Sequence, residues 1–104
     1  MNLDEALSEQ LLSLDALDER PSRFGGKSAF WSGKREIAHF EGPGVLDLRL
    51  TRPEIRARKA ELRADARVTL RGSSDWVEVS FSAAPDLTWV LGLVEVAIAA
   101  NARG

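Results

Sequence analysis

Cysteine is absent from this chain of 104 residues, which excludes disulfides, zinc sites built from thiolates and cysteine nucleophiles. Low-complexity tracts and internal repeats are absent as well. The remaining composition, 44% hydrophobic and 29% charged residues, is that of an ordinary soluble globular protein. A chain of this length fits one domain, so we expect residues 1–104 to form a single domain.

Targeting and membrane signals are also missing. The N-terminus is acidic and amphipathic, whereas a signal peptide begins with basic residues and continues with apolar ones. The most apolar run, LTWVLGLVEVAIAA at residues 87–100, is interrupted by Glu95 and is shorter than the ~20 residues that cross a bilayer. We therefore expect a soluble, cytoplasmic protein with no membrane partner.

Sequence motifs for phosphate binding and serine catalysis are not found either. The segment FGGKSAFWSG at residues 24–33 is rich in glycine, but it leads into a predicted strand, where a phosphate loop opens a helix. No nucleophile elbow occurs. The sequence therefore indicates no cofactor, and we expect Gly25 and Gly26 to form a turn.

Charge is sorted along the chain although the net charge is only −2. Residues 1–20 carry six acids and one base, whereas residues 49–71 carry eight bases and three acids. One interpretation is two solvated surfaces that complement each other, and the other is a basic face for an anionic partner. We expect the bases of the predicted middle helix to be spread around its circumference and interleaved with acids, which favours a solvated surface and makes a nucleic acid an unlikely partner. These bases are Arg52, Arg56, Arg58, Lys59 and Arg63, and the acids are Glu54 and Glu61.

The first segment, residues 1–20, is predicted to be helical from residue 2 to 17. Its leucines recur at the spacing of one helix stripe: Leu3, Leu7, Leu11, Leu14 and Leu17. Asn2 and Glu5 have the spacing of a capping box. The segment DERPSRFGG at residues 18–26 ends the helix, because proline and glycine interrupt regular structure.

Alternating apolar residues then predict a three-stranded meander over residues 27–50, with turns at Gly33 and at GPG 42–44. Thr51 and Glu54 predict a second capping box, and Pro53 fits the first turn of a helix over residues 52–64.

A hairpin over residues 66–82 follows, with its turn at GSS 72–74. The last helix is predicted over residues 85–101. It is apolar on nearly all sides, which makes it either central or shared with a partner. This order, α-β-β-β-α-β-β-α, predicts an α+β two-layer sandwich in which an antiparallel sheet of about five strands carries helices on one face.

The alternation assigns side chains to the two faces of the sheet. We expect the core face to carry Trp31, Ala38, Phe40, Leu46, Leu48, Leu50, Val68, Leu70, Val77, Val79 and Phe81. We expect the open face to carry Phe30, Ile37, His39, Glu41, Asp47, Arg49, Arg67, Thr69, Arg71, Trp76 and Glu78.

His39, the only histidine, is predicted to lie directly across from Asp47 on the neighbouring strand, with Glu41 and Arg49 nearby. A carboxylate beside an imidazole fixes its tautomer and raises its basicity, as in catalytic and metal-bound histidines. The same arrangement is also an ordinary cross-strand charge ladder. A metal site needs three or four ligands, and we predict no metal. Trp76 could stack on Arg71 or serve with Phe30 as a platform for bases.

The runs RFGG at 23–26, SGKREIAHFEG at 32–42, LDLRL at 46–50, DWVEV at 75–79 and PDLTWVL at 85–91 resemble a family of small bacterial proteins labelled "luciferase domain". The label does not imply light emission, and the chain is too short for a flavin-dependent luciferase barrel. The resemblance implies the fold and a patch around His39. Family members often have glycine-histidine-x-histidine-glycine where this sequence has Ala38 to Gly42, so Glu41 replaces the second histidine.

Two functions stay open at this point. The first is a non-catalytic binding or protein-interaction module, self-associating as a homo-oligomer through the last helix or the open sheet face. The second is a small enzyme or a protein that binds a small anionic ligand, with His39 as base, Asp47 orienting it and Arg49 holding the anion. In that case the ligand-binding residues are His39, Glu41, Arg49 and Trp76.

Overall fold

The computed structural model describes residues 2–25 and 27–103, and this part of the chain forms one open antiparallel sheet of six strands with four helices. In chain order the elements are α1 Leu3–Leu12, β1 Asp18–Pro21, β2 Ser28–Ser32, β3 Arg35–Gly42, β4 Val45–Arg49, α2 Arg52–Ala57, α3 Lys59–Ala64, β5 Val68–Leu70, β6 Trp76–Ser80 and α4 Ala84–Arg103. The predicted α+β class with an antiparallel sheet is confirmed. Gly26, predicted to lie in a turn, is outside the described residues.

The first helix begins as the sequence predicts. The Asn2 side chain accepts a hydrogen bond from the Glu5 backbone N–H at 2.8 Å, and the Glu5 carboxylate accepts one from the Asn2 N–H at 3.1 Å. The helix ends at Leu12 instead of residue 17. The C-cap residue, Ser13, donates a hydrogen bond from its hydroxyl to the Gln10 carbonyl in the last turn. The capping box is therefore confirmed, and the predicted length is not.

The strand β1 is the element that the sequence analysis missed. It pairs with β2 at the edge of the sheet, and its four residues are all exposed. Because neither face of this strand is buried, it shows no alternation of apolar and polar residues, which is the signal that identifies strands. Its charged residues and Pro21 are typical of edge strands that avoid pairing with other chains.

The predicted meander and the predicted hairpin join into one sheet through β4 and β6, and the strand order is β1-β2-β3-β4-β6-β5. Leu46 pairs with Val79 and Leu48 with Val77 across this junction. These side chains face the helices, and all four helices contribute to the same core cluster. Its members include Leu7, Leu11, Leu46, Leu48, Ile55, Leu62, Val77, Val79, Val90 and Val94.

A bulge in β3 corrects the predicted faces at one end of the sheet. Phe30 pairs with Ala38, but the next residue, Trp31, pairs with Glu36, so Ile37 is an extra residue in β3. Phe30 and Ile37 therefore lie in the core instead of on the open face. Trp31 pairs with Glu36 and lies with it on the open face instead of the predicted core face. The guanidinium of Arg20 lies over its ring, 5.2 Å from the centroid.

The predicted helix over residues 52–64 is broken at Arg58, which separates α2 from α3. Its start also differs from the prediction. Thr51 makes no capping hydrogen bond and has φ 79°, and the carboxylate of Asp75 accepts from the Arg52 N–H instead, at 2.9 Å. Pro53 does lie in the first turn, as predicted.

The last helix, α4, is central to the fold. It has 20 residues, and its length and hydropathy of 1.2 match those of a membrane-spanning helix. One side of it packs on the sheet and is buried, at Leu87, Val90, Leu93, Val94, Ala97 and Ala100. On another side of α4 the guanidinium of Arg67 covers Trp89, 3.7 Å from the ring centroid. These contacts place α4 in the core of the fold.

Candidate functional site

His39 lies in β3, 8% exposed, and pairs with Asp47 of β4 as the alternation predicts. Three carboxylates contact its ring. Nδ1 lies 2.8 Å from Glu36, and Nε2 lies 2.7 Å from Glu41 and 3.3 Å from Asp47. The predicted neighbours Glu41 and Asp47 are thus brought to His39, and a third acid joins them.

These distances constrain where protons are held. A carboxylate accepts hydrogen bonds and does not donate them, and a neutral imidazole donates from one nitrogen alone. Since both nitrogens of His39 face carboxyl oxygens at 2.7–2.8 Å, either the imidazole carries two protons or one carboxyl group carries a proton. In either arrangement each ring nitrogen is hydrogen-bonded to a carboxyl group.

Glu36 is the site residue that sequence reasoning missed. It is 2% exposed, and its carboxylate also accepts hydrogen bonds from the Ser22 hydroxyl at 2.9 Å and from the Arg23 backbone N–H at 2.8 Å. The regular alternation of β3 places Glu36 on the core face. The bulge at Ile37 turns it onto the face of His39, and no sequence signal marked that bulge.

The pKa values of the two acids at Nε2 are shifted in opposite directions. Burial raises the pKa of Asp47, although two hydrogen bonds from Arg71 at 3.0 and 2.7 Å oppose this effect. The pKa of Glu41 is lowered, first by the hydrogen bond with Asp47 and then by that with His39. Divergent pKa values within one cluster are typical of sites that exchange protons.

Two aromatic rings form the walls beside His39. Trp76 lies 5.2 Å and Phe24 5.8 Å from the imidazole centroid, and the two aromatic rings meet edge to face at 5.7 Å. Phe24 projects from the loop after β1 and is 65% exposed. A recess of about 170 Å³ opens on one side of Phe24 next to His39 and Glu41, and one of about 80 Å³ on the other, next to Glu36.

Arg49 and Arg71 are both engaged by other side chains. The guanidinium of Arg49 borders the smaller recess, but it is engaged by Asn101 of α4 and by Asp75 at 3.3 Å. Arg71 pairs with Asp47 and with Glu78 at 2.9 Å. Trp76 therefore packs on His39 and Phe24 rather than on Arg71.

Three side chains could hold a divalent cation. His39, Glu41 and Asp47 each offer one ligand atom, and these atoms lie within 4.8 Å of one another. Glu36 at Nδ1 would then orient the imidazole, as carboxylates do beside metal-bound histidines. The ion pair of Asp47 with Arg71 opposes this role, because the positive charge of Arg71 repels a cation.

A comparison with known families identifies the chain. The model of the Luciferase domain matches residues 34–97, more than half of the chain and the part that carries His39, Glu41 and Asp47. The chain belongs to the luciferase-domain family. Searches of the curated proteins and of the solved structures found no match. In this luciferase-domain protein, Glu41 occupies the position where the resemblance implies a second histidine, and it hydrogen-bonds to the first.

Proposed function

We propose that this luciferase-domain protein binds a small organic ligand in the recess around His39, and that His39 exchanges a proton with it. The observation that carries the proposal is the cluster of three carboxylates around one imidazole, next to the exposed ring of Phe24. This develops the second of the two functions left open by the sequence.

The way the buried acids are held supports a functional role. Glu36 is 2% and Asp47 4% exposed, and other partners fix both carboxylates: Ser22 and Arg23 hold Glu36, and Arg71 holds Asp47. Fixed carboxylates beside an imidazole orient it and stabilise its protonated form, as in catalytic histidines.

The walls of the recess define the ligand chemistry. Phe24 and Phe40 offer apolar ring surface to a planar group, and Glu41 accepts a hydrogen bond from a hydroxyl or an amine. A volume of about 170 Å³ suits a single ring, since a protein cavity of roughly 150 Å³ binds benzene. The ligand is therefore a ring-sized group with a polar hydrogen-bond donor.

The arrangement supplies general acid–base chemistry. Glu41 lies at the exposed rim of the site, so its side chain can turn outward and leave Nε2 to the ligand. The Nε2 atom then accepts a proton from the ligand hydroxyl or amine, and Glu36 stabilises the resulting imidazolium through Nδ1. Asp47 keeps the ring oriented from the neighbouring strand.

Self-association has less support than ligand binding. Within residues 2–25 and 27–103 the exposed large apolar side chains are Leu12 and Phe24. The apolar residues of α4 outside its buried side are half-buried: Trp89, Leu91, Val96 and Ile98. These do not form the large exposed apolar patch that marks an interface. We retain a cytoplasmic location as part of this proposal.

The test is a nuclear magnetic resonance titration with ring-sized probes, namely benzyl alcohol, aniline and benzylamine. We expect a probe to shift the amide signals of Phe24, His39 and Glu41 in the native protein and in the control variant Glu95→Gln, which changes an exposed acid on α4. His39→Gln should lose these shifts. The proposal is wrong if no probe moves these signals, or if His39→Gln responds like the native protein.

A divalent cation is the second candidate occupant, because three ligand atoms converge at Nε2. Melting temperatures measured with Mg²⁺, Mn²⁺ and Zn²⁺ test it. A metal site predicts a rise in the native protein that Glu41→Gln removes and Glu95→Gln keeps. Equal shifts in all three proteins would instead mean binding elsewhere on the surface.

A further inference from the structure

We infer that the groove between the helices α2–α3 and the turn between β5 and β6 is a binding site for a small phosphate-bearing anion. The groove is half-open, with a volume of about 480 Å³, which lies in the range of small-molecule sites. It contains none of the residues around His39, so the inference is independent of the function proposed above.

Four cationic side chains border this groove: Arg52, Arg56, Lys59 and Arg63. All four are exposed, and no carboxylate lies within ion-pair distance of any of them in the part of the chain that the structure describes. Arg52 and Arg56 lie four residues apart on α2, and Lys59 and Arg63 lie four residues apart on α3. Like charges four residues apart on a helix repel one another, so this arrangement costs stability unless an anion neutralises it.

The acids of the same helices are engaged elsewhere. Glu54 pairs with Arg58 at 3.0 Å and with Arg103 at 2.6 Å, and Glu61 pairs with Arg58 at 3.4 Å. Arg58 and Glu61 border a different groove, against α4. The sequence analysis expected bases and acids interleaved around one helix, but the structure separates a neutralised side from an uncompensated basic side.

No acid among the described residues lines this groove, and the carboxylate of Asp75, which follows the lining residue Ser74 in the chain, is already used. It accepts from the Arg52 backbone N–H at 2.9 Å and from Arg49 at 3.3 Å. The remaining positive charge therefore has no partner within the described chain.

The rest of the groove suits a phosphate ester with an apolar portion. Ile55 and Leu70 supply apolar surface, and the turn residues Gly72, Ser73 and Ser74 face the helices across the groove. Arginine guanidinium groups bind phosphate oxygens in pairs of hydrogen bonds, and a phosphate carries about two negative charges where a carboxylate carries one, which suits a groove with four cations. Among the described residues no aromatic side chain borders the groove, whereas surfaces for single-stranded nucleic acids use aromatic rings to stack bases.

Calorimetry with pyrophosphate and phenyl phosphate tests the inference. The double variant Arg56→Gln, Lys59→Gln removes two charges from the groove. The control Lys34→Gln, Arg35→Gln removes the same two residue types from the turn between β2 and β3 and the exposed first residue of β3. We expect at least about tenfold weaker binding in the groove variant and less than about twofold in the control. Binding should also weaken as salt is raised.

Three results would overturn the inference. They are the absence of binding by the native protein at low salt, an equal loss in both double variants, and tighter binding of a DNA duplex than of pyrophosphate through the same residues. The last result would identify a nucleic-acid surface instead. Circular dichroism checks folding, and Arg52→Gln with Arg63→Gln replaces the first pair if that variant does not fold.

Discussion

Glu36 and His39 lie on one face of β3 although they are three positions apart, and the carboxylate contacts Nδ1 at 2.8 Å. In a regular strand residues at this spacing point to opposite faces. The extra residue, Ile37, shifts the alternation by one and brings them together. Because Glu36 also holds Ser22 and Arg23, the bulge connects the loop that carries Phe24 to the histidine.

Substitution of Glu36 should loosen that loop. In Glu36→Gln an amide replaces a carboxylate that accepts three hydrogen bonds, and hydrogen bonds to a charged group contribute about 2 kcal/mol each. We expect a loss of about 2 kcal/mol in the free energy of unfolding and faster hydrogen exchange at the Arg23 N–H. The Leu48 N–H, in the central strand β4, should keep its protection. Unchanged exchange at Arg23 would show that Glu36 does not hold the loop.

Asp47 should give a stability effect that depends on pH. Its pKa is raised in the folded protein, so the folded state binds a proton more readily than the unfolded state. Ionisation of Asp47 therefore costs stability as pH rises above 3.8, the ordinary value. We expect Asp47→Asn to cost less stability at about pH 7 than at about pH 3, where the carboxyl is protonated in both states. Urea unfolding at the two pH values measures this difference.

Asp65 provides a control in which the effect of pH on stability has the opposite sign. Hydrogen bonds from Arg67 lower its folded pKa from 3.8 to about 2, so its stabilisation is complete above 3.8 and decreases as pH falls towards 2. Asp65→Asn should therefore cost more at about pH 7 than at about pH 3. If both variants change in the same direction with pH, the assignment of a raised pKa to Asp47 is wrong.

Much of the fold could be predicted because local signals agree with burial. The capping box at Asn2, the alternation through Leu46 and Leu48 and the turn before Val45 all derive from neighbouring residues, and the structure confirms them. The pairing of His39 with Asp47 follows from that alternation. These features need no knowledge of distant contacts.

The errors share a different physical cause, which is that a distant contact overrides the local pattern. The bulge at Ile37 buries Phe30 in the core and gives Glu36 its contacts with the preceding loop. Thr51 is not the cap because Asp75, from the other hairpin, satisfies the Arg52 N–H. The uncompensated bases Arg52, Arg56, Lys59 and Arg63 follow the same rule. The sequence places Glu54 and Glu61 among them, but in the structure Glu54 pairs with Arg58 and the distant Arg103, and Glu61 pairs with Arg58.

Two glycines in turns should differ in how they tolerate alanine. Gly44 and Gly33 both have positive φ, 73° and 60°, which costs about 1 kcal/mol for an alanine. A Cβ on Gly44 would also lie 2.8 Å from the Phe81 carbonyl oxygen, whereas a Cβ on Gly33 meets nothing within 4 Å. We expect Gly44→Ala to cost about 3 kcal/mol and Gly33→Ala about 1 kcal/mol. Equal midpoints in urea unfolding would contradict the close packing of the Gly44 turn.

Phe24 should affect the site far more than it affects stability. Its side chain is 65% exposed, so Phe24→Ala should change the free energy of unfolding by less than about 1 kcal/mol. Its ring lies 5.8 Å from the imidazole, so its removal should shift the ring proton signals of His39 and weaken binding of the aromatic probes about tenfold. Leu12→Ala removes the other large exposed apolar side chain, which is 42% exposed. It should change neither the His39 signals nor the binding of the probes. A melting temperature several degrees lower with unchanged His39 signals would make Phe24 a structural residue and remove the cover from the proposed site.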